Sequence, residues 1–426
     1  MNDIQRFAAN AVTRVLAGAS LTATLDHLRA AEPTLTAHTR AAAQDAAYGT
    51  LRWLTRVQAL LAPLLRKLPD DPRVAALLWV AVYQFEYTRA APHAVVNAAA
   101  AVAGRWTHGH GTGFVNGVLR NYLRRREALA AGLVTDEARY AHPHWWIEVL
   151  REQYPARWRE ILDVNNTHPP FTLRVNRRRT TREACLAALA AAGIPAEPVQ
   201  ADGVQCARAV PVTQVPGFSE GNVSVQDAGA QWAAPLLDAR DGLRVLDACA
   251  APGGKAAHVL EYAAVDLTAL DRDAVRLRRV ADNLDRLGLK ARLIEADAGN
   301  LPAWWDGVPY DRVLADVPCT ASGIVRRHPD VKWLRRPADV AALAAEQSRL
   351  LEALWQVLAR GGKLLYITCS IFARENDQQV ANFLSRHADA RRLPLPALPV
   401  AAGAPDGQLL PSASHDGFFY AALEKR

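Results

Sequence analysis

Two cysteines and one glycine-rich segment are the residues of this chain best suited to chemistry. Cys319 and Cys369 each follow an apolar run that predicts a buried strand, in Asp-Val-Pro-Cys and Thr-Cys-Ser. Upstream, residues 247–255 read Asp-Ala-Cys-Ala-Ala-Pro-Gly-Gly-Lys. A turn of small residues lets the backbone approach a ligand closely, and a thiolate is a nucleophile. The combination predicts a nucleotide-like cofactor pocket with a thiol nucleophile at its mouth.

Aspartates lie at the ends of four successive predicted strands: Asp247, Asp271, Asp297 and Asp316. The carboxyl ends of parallel strands meet at one edge of a sheet, where ligands bind. There Asp271 is placed to bind ribose hydroxyls, and Asp297 to accept from an adenine amino group. Any one of them alone is typical of a helix N-cap. Four together favour S-adenosylmethionine, which carries a sulfonium cation, over a dinucleotide, whose pyrophosphate they would repel and whose G-x-G-x-x-G motif the chain lacks.

The glycine-rich turn supplies the rest of the predicted cofactor site. Its residues are Cys249, Ala250, Ala251, Pro252, Gly253, Gly254 and Lys255. We expect Cys249 to contribute its backbone, with a side chain that behaves as a small buried hydrophobe. Lys255 is equally suited to meeting the carboxylate of the cofactor and to covering the turn.

The apolar pattern divides the chain into three predicted domains. Residues 1–135 show apolar residues at helical spacing, separated by Pro and Gly, which predicts an all-α bundle. Residues 136–224 predict linker helices and a small αβ subdomain, with a strand at 171–175, a helix at 180–192 and an irregular strand at 199–207. Residues 225–426 alternate strand and helix, which is typical of a parallel, doubly wound α/β sheet. Its strands are predicted at 243–247, 267–271, 292–296, 312–316, 363–368 and 418–422. Helices are predicted between them, among them one at 338–359 that Gly361-Gly362 closes.

Three motifs resemble those of the RNA 5-methylcytosine methyltransferases. They are the glycine-rich segment, Asp-Val-Pro-Cys-Thr-Ala-Ser-Gly at 316–323, and Thr-Cys-Ser at 368–370. The helical front, with Asn-Gly-Val-Leu-Arg at 116–120, resembles a NusB-like RNA-binding domain. This pairing resembles the RsmB (Sun/Fmu) family of 16S rRNA methyltransferases. The resemblance implies a Rossmann-like class I methyltransferase sheet, preceded by a NusB-like bundle and a small αβ subdomain, that methylates carbon-5 of a cytosine in 16S rRNA.

Methylation at carbon-5 of cytosine requires a thiolate, because this carbon becomes nucleophilic only after a sulfur adds to carbon-6. The resemblance implies that Cys369 is the nucleophile and that Cys319 assists product release. Asp316 is placed both to approach the cofactor and to hydrogen-bond the base edge. The residues alone do not rank the two thiols, since DNA cytosine methyltransferases use the cysteine of the Pro-Cys position. Cys185 and Cys206 lie outside the motifs and are predicted to be structural.

The formal net charge of +7 suits a polyanionic partner. Basic runs are usually solvated faces, but two of them are candidates for RNA contacts. One follows the Cys319 loop and the other lies in the small αβ subdomain. The predicted RNA contacts are Arg326, Arg327, Lys332, Arg174 and Arg177. Trp333, within the first run, is equally suited to stacking on a base and to a place in the core.

Composition limits the remaining possibilities. Five cysteines without a C-x-x-C pair argue against a disulfide framework and a four-cysteine zinc site. The longest apolar run near the front is too short to cross a bilayer. We therefore expect a cytoplasmic protein without a metal. We also expect a monomer, and the resemblance implies that its partner is 16S rRNA, free or in an early particle. Two alternatives stay open: a tRNA cytosine carbon-5 methyltransferase, and a non-catalytic NusB-like RNA-binding protein with a decayed methyltransferase domain.

Overall fold

The structure is a computed structural model that describes residues 1–395 and 398–426. The chain forms two compact units. The first comprises residues 1–167 and 325–336, and the second comprises residues 168–324 and 337–426. Across the described residues, no helix is long and apolar enough to span a bilayer.

The first unit is helical, as predicted. Its helices up to residue 167 are α1 (Asn2–Leu16), α2 (Leu21–Ala31), α3 (Ala37–Arg52), α4 (Leu54–Leu61), α5 (Pro72–Tyr87), α6 (Pro92–Trp106), α7 (His110–Ala131), α8 (Asp136–Tyr140), α9 (His144–Gln153) and α10 (Trp158–Asn165). Ser20, Thr36 and Thr135 cap helices by accepting a hydrogen bond from a backbone N–H two or three residues into the helix. Proline begins α5 and α6, where its missing N–H costs nothing.

Helix α5 forms the centre of the helical core, because every residue from Val74 to Phe85 is buried. Helix α3 approaches it so closely that a Cβ atom at Gly49 would lie 1.9 Å from the ring of Tyr83. The glycine-rich stretch at 109–113 was predicted to separate helices, and it does so only at Gly109, where φ is +93°. From His110 onward the chain is already in α7, since the helix tolerates the two further glycines.

The small αβ subdomain is a four-stranded antiparallel sheet with one helix. Its strands are β1 (Phe171–Val175), β2 (Ala196–Val199), β3 (Gly203–Cys206) and β4 (Val223–Val225), in the order β2-β3-β1-β4, and its helix is α11 (Arg182–Ala191). The strand predicted at 171–175 and the helix predicted at 180–192 are confirmed as β1 and α11. The stretch predicted as one irregular strand is instead the hairpin β2–β3. Strand β4 was missed, because three residues are too few to show an alternating pattern.

The large sheet has eight strands, in the order β10-β12-β9-β8-β5-β6-β7, with β11 paired to β12. They are β5 (Arg244–Asp247), β6 (Asp266–Asp271), β7 (Arg292–Glu295), β8 (Tyr310–Asp316), β9 (Leu358–Thr368), β10 (Ala390–Leu393), β11 (Gln408–Leu409) and β12 (Phe418–Lys425). Strands β5 to β9 are parallel, and β12 is antiparallel to β9. The remaining helices are α12 (Ala233–Leu237), α13 (Gly254–Tyr262), α14 (Ala274–Leu287), α15 (Val331–Leu334, in the first unit), α16 (Pro337–Val357) and α17 (Asp377–Arg386).

Both faces of the large sheet are covered by apolar residues. Along β9, Leu365 and Ile367 belong to one core, and Leu364 and Tyr366 belong to the other. Two buried faces explain why the strands read as nearly continuous apolar runs. The strand order reverses between β5 and β8, so the crevice for a ligand lies at the carboxyl ends of these strands. The predicted Rossmann-like sheet is confirmed.

One boundary differs from the prediction. A helix was expected to continue to residue 359 and to end at Gly361-Gly362, but α16 ends at Val357 and β9 begins at Leu358. Gly361 adopts φ +75°, and the pairing of β9 with β8 shifts register nearby. The two glycines therefore lie within an irregular strand rather than at the end of the helix.

Candidate active site

A cleft of about 240 Å³ opens at the carboxyl ends of the central strands, within the second unit. Its lining includes seven of the predicted catalytic and cofactor-binding residues: Cys249, Ala251, Asp271, Asp297, Asp316, Cys319 and Cys369. The other turn residues, Ala250, Pro252, Gly253, Gly254 and Lys255, lie outside the lining. Strand ends that are far apart in the chain thus converge on one crevice.

Asp271, at the end of β6, fixes the glycine-rich turn. One carboxylate oxygen accepts a hydrogen bond from the backbone N–H of Ala251 at 3.2 Å, and the other accepts from the N–H of Asp273 at 3.1 Å. Arg276 donates to the carbonyl oxygen of Ala251 at 2.8 Å and lies 3.7 Å from Asp271. Asp271 is therefore oriented by the backbone, whereas Asp273 caps α14.

Gly253 is required by packing and by backbone conformation. Its φ is +95°, and a Cβ atom there would lie 3.1 Å from the backbone of Val280 on α14. The glycine thus permits the close approach of α13 and α14. We expected small residues here to admit a ligand, but at Gly253 the close neighbour is a helix.

Asp297, after β7, is held by an arginine that the sequence did not predict. The Nη2 atom of Arg349 lies 2.9 Å from both carboxylate oxygens, and the N–H of Gly299 donates to one of them at 2.8 Å. Burial raises the pKa of Asp297, but these hydrogen bonds outweigh it and hold the pKa below its ordinary value. An ionised Asp297 at the cleft is an acceptor for a donor such as an amino group.

Lys255 forms an ion pair with Asp316. The Nζ atom lies 2.5 Å from Oδ2 of Asp316 and 5.6 Å from the centre of the Phe418 ring. Burial is the largest single cause and lowers the pKa of Lys255, but the charge and hydrogen bond of Asp316, together with other nearby acidic groups, outweigh it and leave the pKa raised. Nearby, burial and then the charge of Asp316 raise the pKa of Asp247 to about 8. Lys255 therefore offsets the negative charge of Asp316, and its own charge limits the rise in the pKa of Asp247.

The two thiols meet at the mouth of the cleft. The Sγ atoms of Cys319 and Cys369 lie 3.3 Å apart, in hydrogen-bonding contact. The hydrogen bond to Cys369 is the largest cause of a strongly raised pKa at Cys319, and burial is the next. Cys319 is 9% exposed, whereas Cys369 is half-buried. The geometry therefore favours a protonated Cys319 that donates its S–H to the sulfur of Cys369.

Several cleft residues were not predicted from the sequence: Arg272, Arg276, Glu346 and Leu350. The two arginines follow Asp271 within little more than a helical turn, so their distance from the strand end was a usable signal. Glu346 and Leu350 lie on α16, where nothing in the local sequence marks them. The pKa of Cys249 is raised, mainly by burial and next by the charge of Asp316, which agrees with an unreactive thiol.

The prediction that Arg174 contacts RNA is wrong, because Arg174 is fully buried. Its guanidinium donates to both carboxylate oxygens of Glu261, at 2.9 and 2.7 Å, and to the carbonyl oxygen of Gly254 at 2.7 Å. Burial raises the pKa of Glu261, and the charge of Arg174 opposes this rise. Arg174 therefore joins β1 to α13 and has no surface to offer a phosphate.

The predicted RNA contacts of Arg326 and Lys332 are wrong for the same reason. Each is 1% exposed, and each lies in the helical unit. The Nζ atom of Lys332 donates to the carbonyl oxygens of Arg52 and Ala141, both at 2.7 Å, and to Oδ1 of Asn166 at 3.2 Å. Burial, and then the charge of Arg52, lower the pKa of Lys332 well below its ordinary value. Both side chains are thus parts of a core rather than of a phosphate-binding surface.

The remaining basic residues differ in exposure. The side chain of Arg177 is 47% exposed, with its guanidinium 4.3 Å from the ring centre of Tyr262. Arg327 is half-buried in the segment 325–336. Trp333 packs against the helical core and donates its indole N–H to the carbonyl oxygen of Leu51 at 2.8 Å. Of its two predicted roles, stacking on a base or a place in the core, the structure therefore shows the second. Of the five predicted RNA contacts, Arg177 is therefore the best exposed.

Within the parts of the chain that the structure describes, no group of three or more His, Cys, Asp or Glu side chains could hold a metal ion.

Comparison with family models matches each region of the chain. The NusB family matches residues 2–124, a ferredoxin-like domain of RsmF/B-like methyltransferases matches residues 142–213, and the 16S rRNA methyltransferase RsmB/F model matches residues 234–424. The domain boundaries predicted at 135 and 224 stay predictions.

Individual relatives extend over the whole chain. The ribosomal RNA small subunit methyltransferase B of Pseudomonas putida is 45% identical, over 98% of this chain and 97% of its own. The protein of the same name from Serratia proteamaculans is 42% identical, over 99% of each chain. The crystal structure of PH0851 superposes with a TM-score of 0.82 over 100% of this chain and 99% of that chain, at 24% identity, and shows the fold. A methyltransferase homolog protein from Pyrococcus horikoshii has a TM-score of 0.60 and 26% identity, over 68% of this chain and 97% of its own.

The sheet order and the cleft at its switch point define a Rossmann-like methyltransferase domain, which follows a NusB-like helical domain along the chain. Within that class, the chain belongs to the RsmB/F family of 16S rRNA methyltransferases, as its full-length relatives and the matching models show.

Proposed function

We propose that this protein transfers a methyl group from S-adenosylmethionine to carbon-5 of a cytosine in 16S rRNA, through a transient bond between the sulfur of Cys369 and carbon-6 of the base. One observation carries the proposal: the 3.3 Å contact between the Sγ atoms of Cys369 and Cys319, at the mouth of a cleft lined by strand-end carboxylates. Few reactions need two adjacent thiols beside such a cleft.

The residues of the cleft fit S-adenosylmethionine. Asp271, held by the backbone at the cleft, would accept from ribose hydroxyls, and Asp297, whose pKa is lowered, would accept from the adenine amino group. The acidic cleft suits a sulfonium cation. Cys249 and Ala251 bring the backbone of the turn to the cleft. When bound, the cofactor supplies an electrophilic methyl group. Because Lys255 is paired with Asp316, its role is to hold that carboxylate rather than to meet the cofactor.

The chain supplies the nucleophile and the proton chemistry. The Cys369 thiolate adds to carbon-6 of an extruded cytosine, and the displaced π electrons make carbon-5 nucleophilic. Asp316 accepts from the exocyclic amino group of the base and fixes the ring. After carbon-5 takes up the methyl group, water accepts the carbon-5 proton, and the electrons of that C–H bond restore the double bond and expel the Cys369 thiolate. Cys319 assists this release from its position beside Cys369.

Paired substitutions test the roles of the thiols. We expect Cys319→Ser to accumulate a covalent protein–RNA adduct on denaturing gels with 16S rRNA and S-adenosylmethionine, because addition proceeds and release is impaired. Cys369→Ser should form no adduct and transfer no methyl group. Cys249→Ser is the matched control, since its thiol belongs to the turn. An adduct with Cys369→Ser and none with Cys319→Ser would exchange the two roles.

The choice of substrate has its own test. We infer a cytoplasmic enzyme that acts on 16S rRNA, free or in an early particle. Of the five predicted RNA contacts, the exposed Arg177 and the half-buried Arg327 stay part of the proposal. Transfer of tritiated methyl groups should label isolated 16S rRNA and leave tRNA unlabelled. Labelling of tRNA alone would favour the tRNA alternative. Absence of cofactor binding in calorimetry, with RNA binding intact, would favour a non-catalytic RNA-binding protein.

A further inference from the structure

A buried carboxylate lies beneath the two thiols, and neither the motifs nor the mechanism above uses it. Glu375 is fully buried, in a single turn of 3₁₀ helix just before α17. One carboxylate oxygen accepts from the backbone N–H of Thr320 at 2.8 Å, and the other accepts from the hydroxyl of Thr320 at 2.6 Å and of Ser370 at 2.5 Å. Thr320 directly follows Cys319, and Ser370 directly follows Cys369. One side chain thus binds both thiol-bearing loops.

Other bonds close the same arrangement. Gln347 donates to Glu375 at 3.1 Å and to the carbonyl oxygen of Pro318 at 2.9 Å. Ser322 lies 2.9 Å from the hydroxyl of Ser370 and also accepts from the backbone N–H of Ile371 at 2.9 Å. These contacts attach the loop that carries Cys319 to the loop that carries Cys369.

The Cys319 loop needs such support, because its backbone is strained. Ala321 has φ +61°, a left-handed conformation that a residue with a Cβ atom adopts at a cost of about 1–3 kcal/mol. Such a conformation persists only when the surroundings determine it. The bonds from Thr320 to Glu375 hold the residue directly before the strained position.

We propose that Glu375 is a positioning residue that fixes the sulfur of Cys369 relative to Cys319 and to the target base. The argument is geometric: four donors from three elements converge on one buried carboxylate, and two of the donor residues adjoin the thiols. Glu375 touches neither sulfur, base nor cofactor in this scheme. The inference rests on the proposed function, since it assigns a cause to the spacing that the covalent mechanism requires.

Two substitutions at Glu375 distinguish a role in positioning the thiols from a role in stabilising the fold alone. Glu375→Ala removes the acceptor of both loops, whereas Glu375→Gln keeps the shape and one acceptor, and the hydroxyls of Thr320 and Ser370 can rotate to accept from its amide. We expect Glu375→Ala to lower kcat by about 100-fold, the loss that a displacement near 1 Å produces. The KM for S-adenosylmethionine should change little. Glu375→Gln should recover most of kcat.

A second readout isolates sulfur addition. In the Cys319→Ser background, where the adduct accumulates, Glu375→Ala should slow adduct formation by the same factor as it lowers kcat. Val380→Ala is the matched control, because Val380 is fully buried in the neighbouring core and its truncation destabilises without touching either loop. Rates are expressed per cofactor-binding site, so that loss of folded protein does not count as loss of rate.

The possible results divide clearly. Unchanged kcat and adduct rate in Glu375→Ala would overturn the inference, and so would losses equal to those of Val380→Ala. Should Glu375→Ala not fold, the double variant Thr320→Val with Ser370→Ala removes both hydroxyl donors. That variant should lower the adduct rate by about tenfold, which is one lost interaction of about 1.4 kcal/mol, and an unchanged rate would overturn the inference. No methyl transfer by the wild type and no adduct in Cys319→Ser alone would contradict the proposed function instead.

Discussion

The ammonium group of Lys255, in the first turn of α13, lies 2.5 Å from a carboxylate oxygen of Asp316 at the end of β8. The two residues belong to different motifs, 61 positions apart. Their side chains are only 14% and 27% exposed, so the pair is held at the edge of the cleft with little screening by water. The lysine thus fixes the direction of the carboxylate that the proposed mechanism assigns to the base edge.

Replacing Lys255 by Met should therefore impair catalysis more than cofactor binding. Asp316 would lose its counter-ion beside the buried Asp247, and it would no longer be held toward the cleft. We expect kcat to fall by about tenfold or more, which corresponds to about 1.4 kcal/mol of transition-state stabilisation, with little change in the KM for S-adenosylmethionine. Steady-state kinetics measures both. Lys255→Arg keeps the charge and should lose less, and equal losses in the two variants would contradict this role.

Local sequence was sufficient where a residue's role follows from the end of a strand. Asp271 and Asp316 end β6 and β8 as predicted, because buried strands give continuous apolar runs and parallel strands end at one edge. Arg349 and Glu375 could not be found this way. Their partners are far away in the chain, and only the folded structure brings them together.

Basic runs were the weakest part of the sequence interpretation. A charged side chain normally lies in water, so Arg174 and Lys332 were taken for surface residues. The structure buries Arg174 against Glu261 and Lys332 among oxygen acceptors of the helical unit. The groups that these two side chains contact, Glu261 for Arg174 and Arg52 for Lys332, lie far away in sequence. That residues 325–336 fold with the helical unit is likewise a long-range property that no local pattern contains.

Arg174→Ala should destabilise the protein without weakening RNA binding by the folded fraction. The substitution leaves Glu261 buried without its partner, which costs about 3–5 kcal/mol. Urea unfolding measures this loss. Arg177→Ala is the contrasting variant, because its exposed guanidinium can leave the surface at little cost in stability. If Arg177 contacts a phosphate, its removal should reduce the slope of log affinity for RNA against log salt concentration by about one. A reduced slope in folded Arg174→Ala would instead show that Arg174 does contact RNA.

Lys332→Met should destabilise the helical unit and leave the salt dependence of RNA binding unchanged. Met has a similar length but no N–H, so the acceptors on Arg52, Ala141 and Asn166 would lose their common donor. A buried polar group left unpaired costs about 1–3 kcal/mol. Thermal unfolding and RNA titrations at several salt concentrations measure the two effects. A weaker salt dependence with unchanged stability would indicate that Lys332 reaches a phosphate.

Asp247 makes stability depend on pH across the neutral range. Burial, and then the charge of Asp316, raise its pKa from 3.8 to about 8 in the folded protein. Between these two values the folded protein keeps a proton that the unfolded chain has released. The contribution of this proton to stability is therefore complete below the lower value and is lost as the pH rises toward the higher one.

Asp247→Asn should remove this dependence, because an amide keeps its protons at every pH in the window. Wild type and variant should be closest in unfolding free energy near the lower end of the window, and the variant should become relatively more stable as the pH rises toward about 8. Urea unfolding at several pH values within the window measures the difference. Asp282→Asn makes the same Asp-to-Asn change at an exposed position of α14 and should leave the wild-type slope intact. Parallel curves for wild type and Asp247→Asn would show that Asp247 is ionised in the folded protein, held by Lys255.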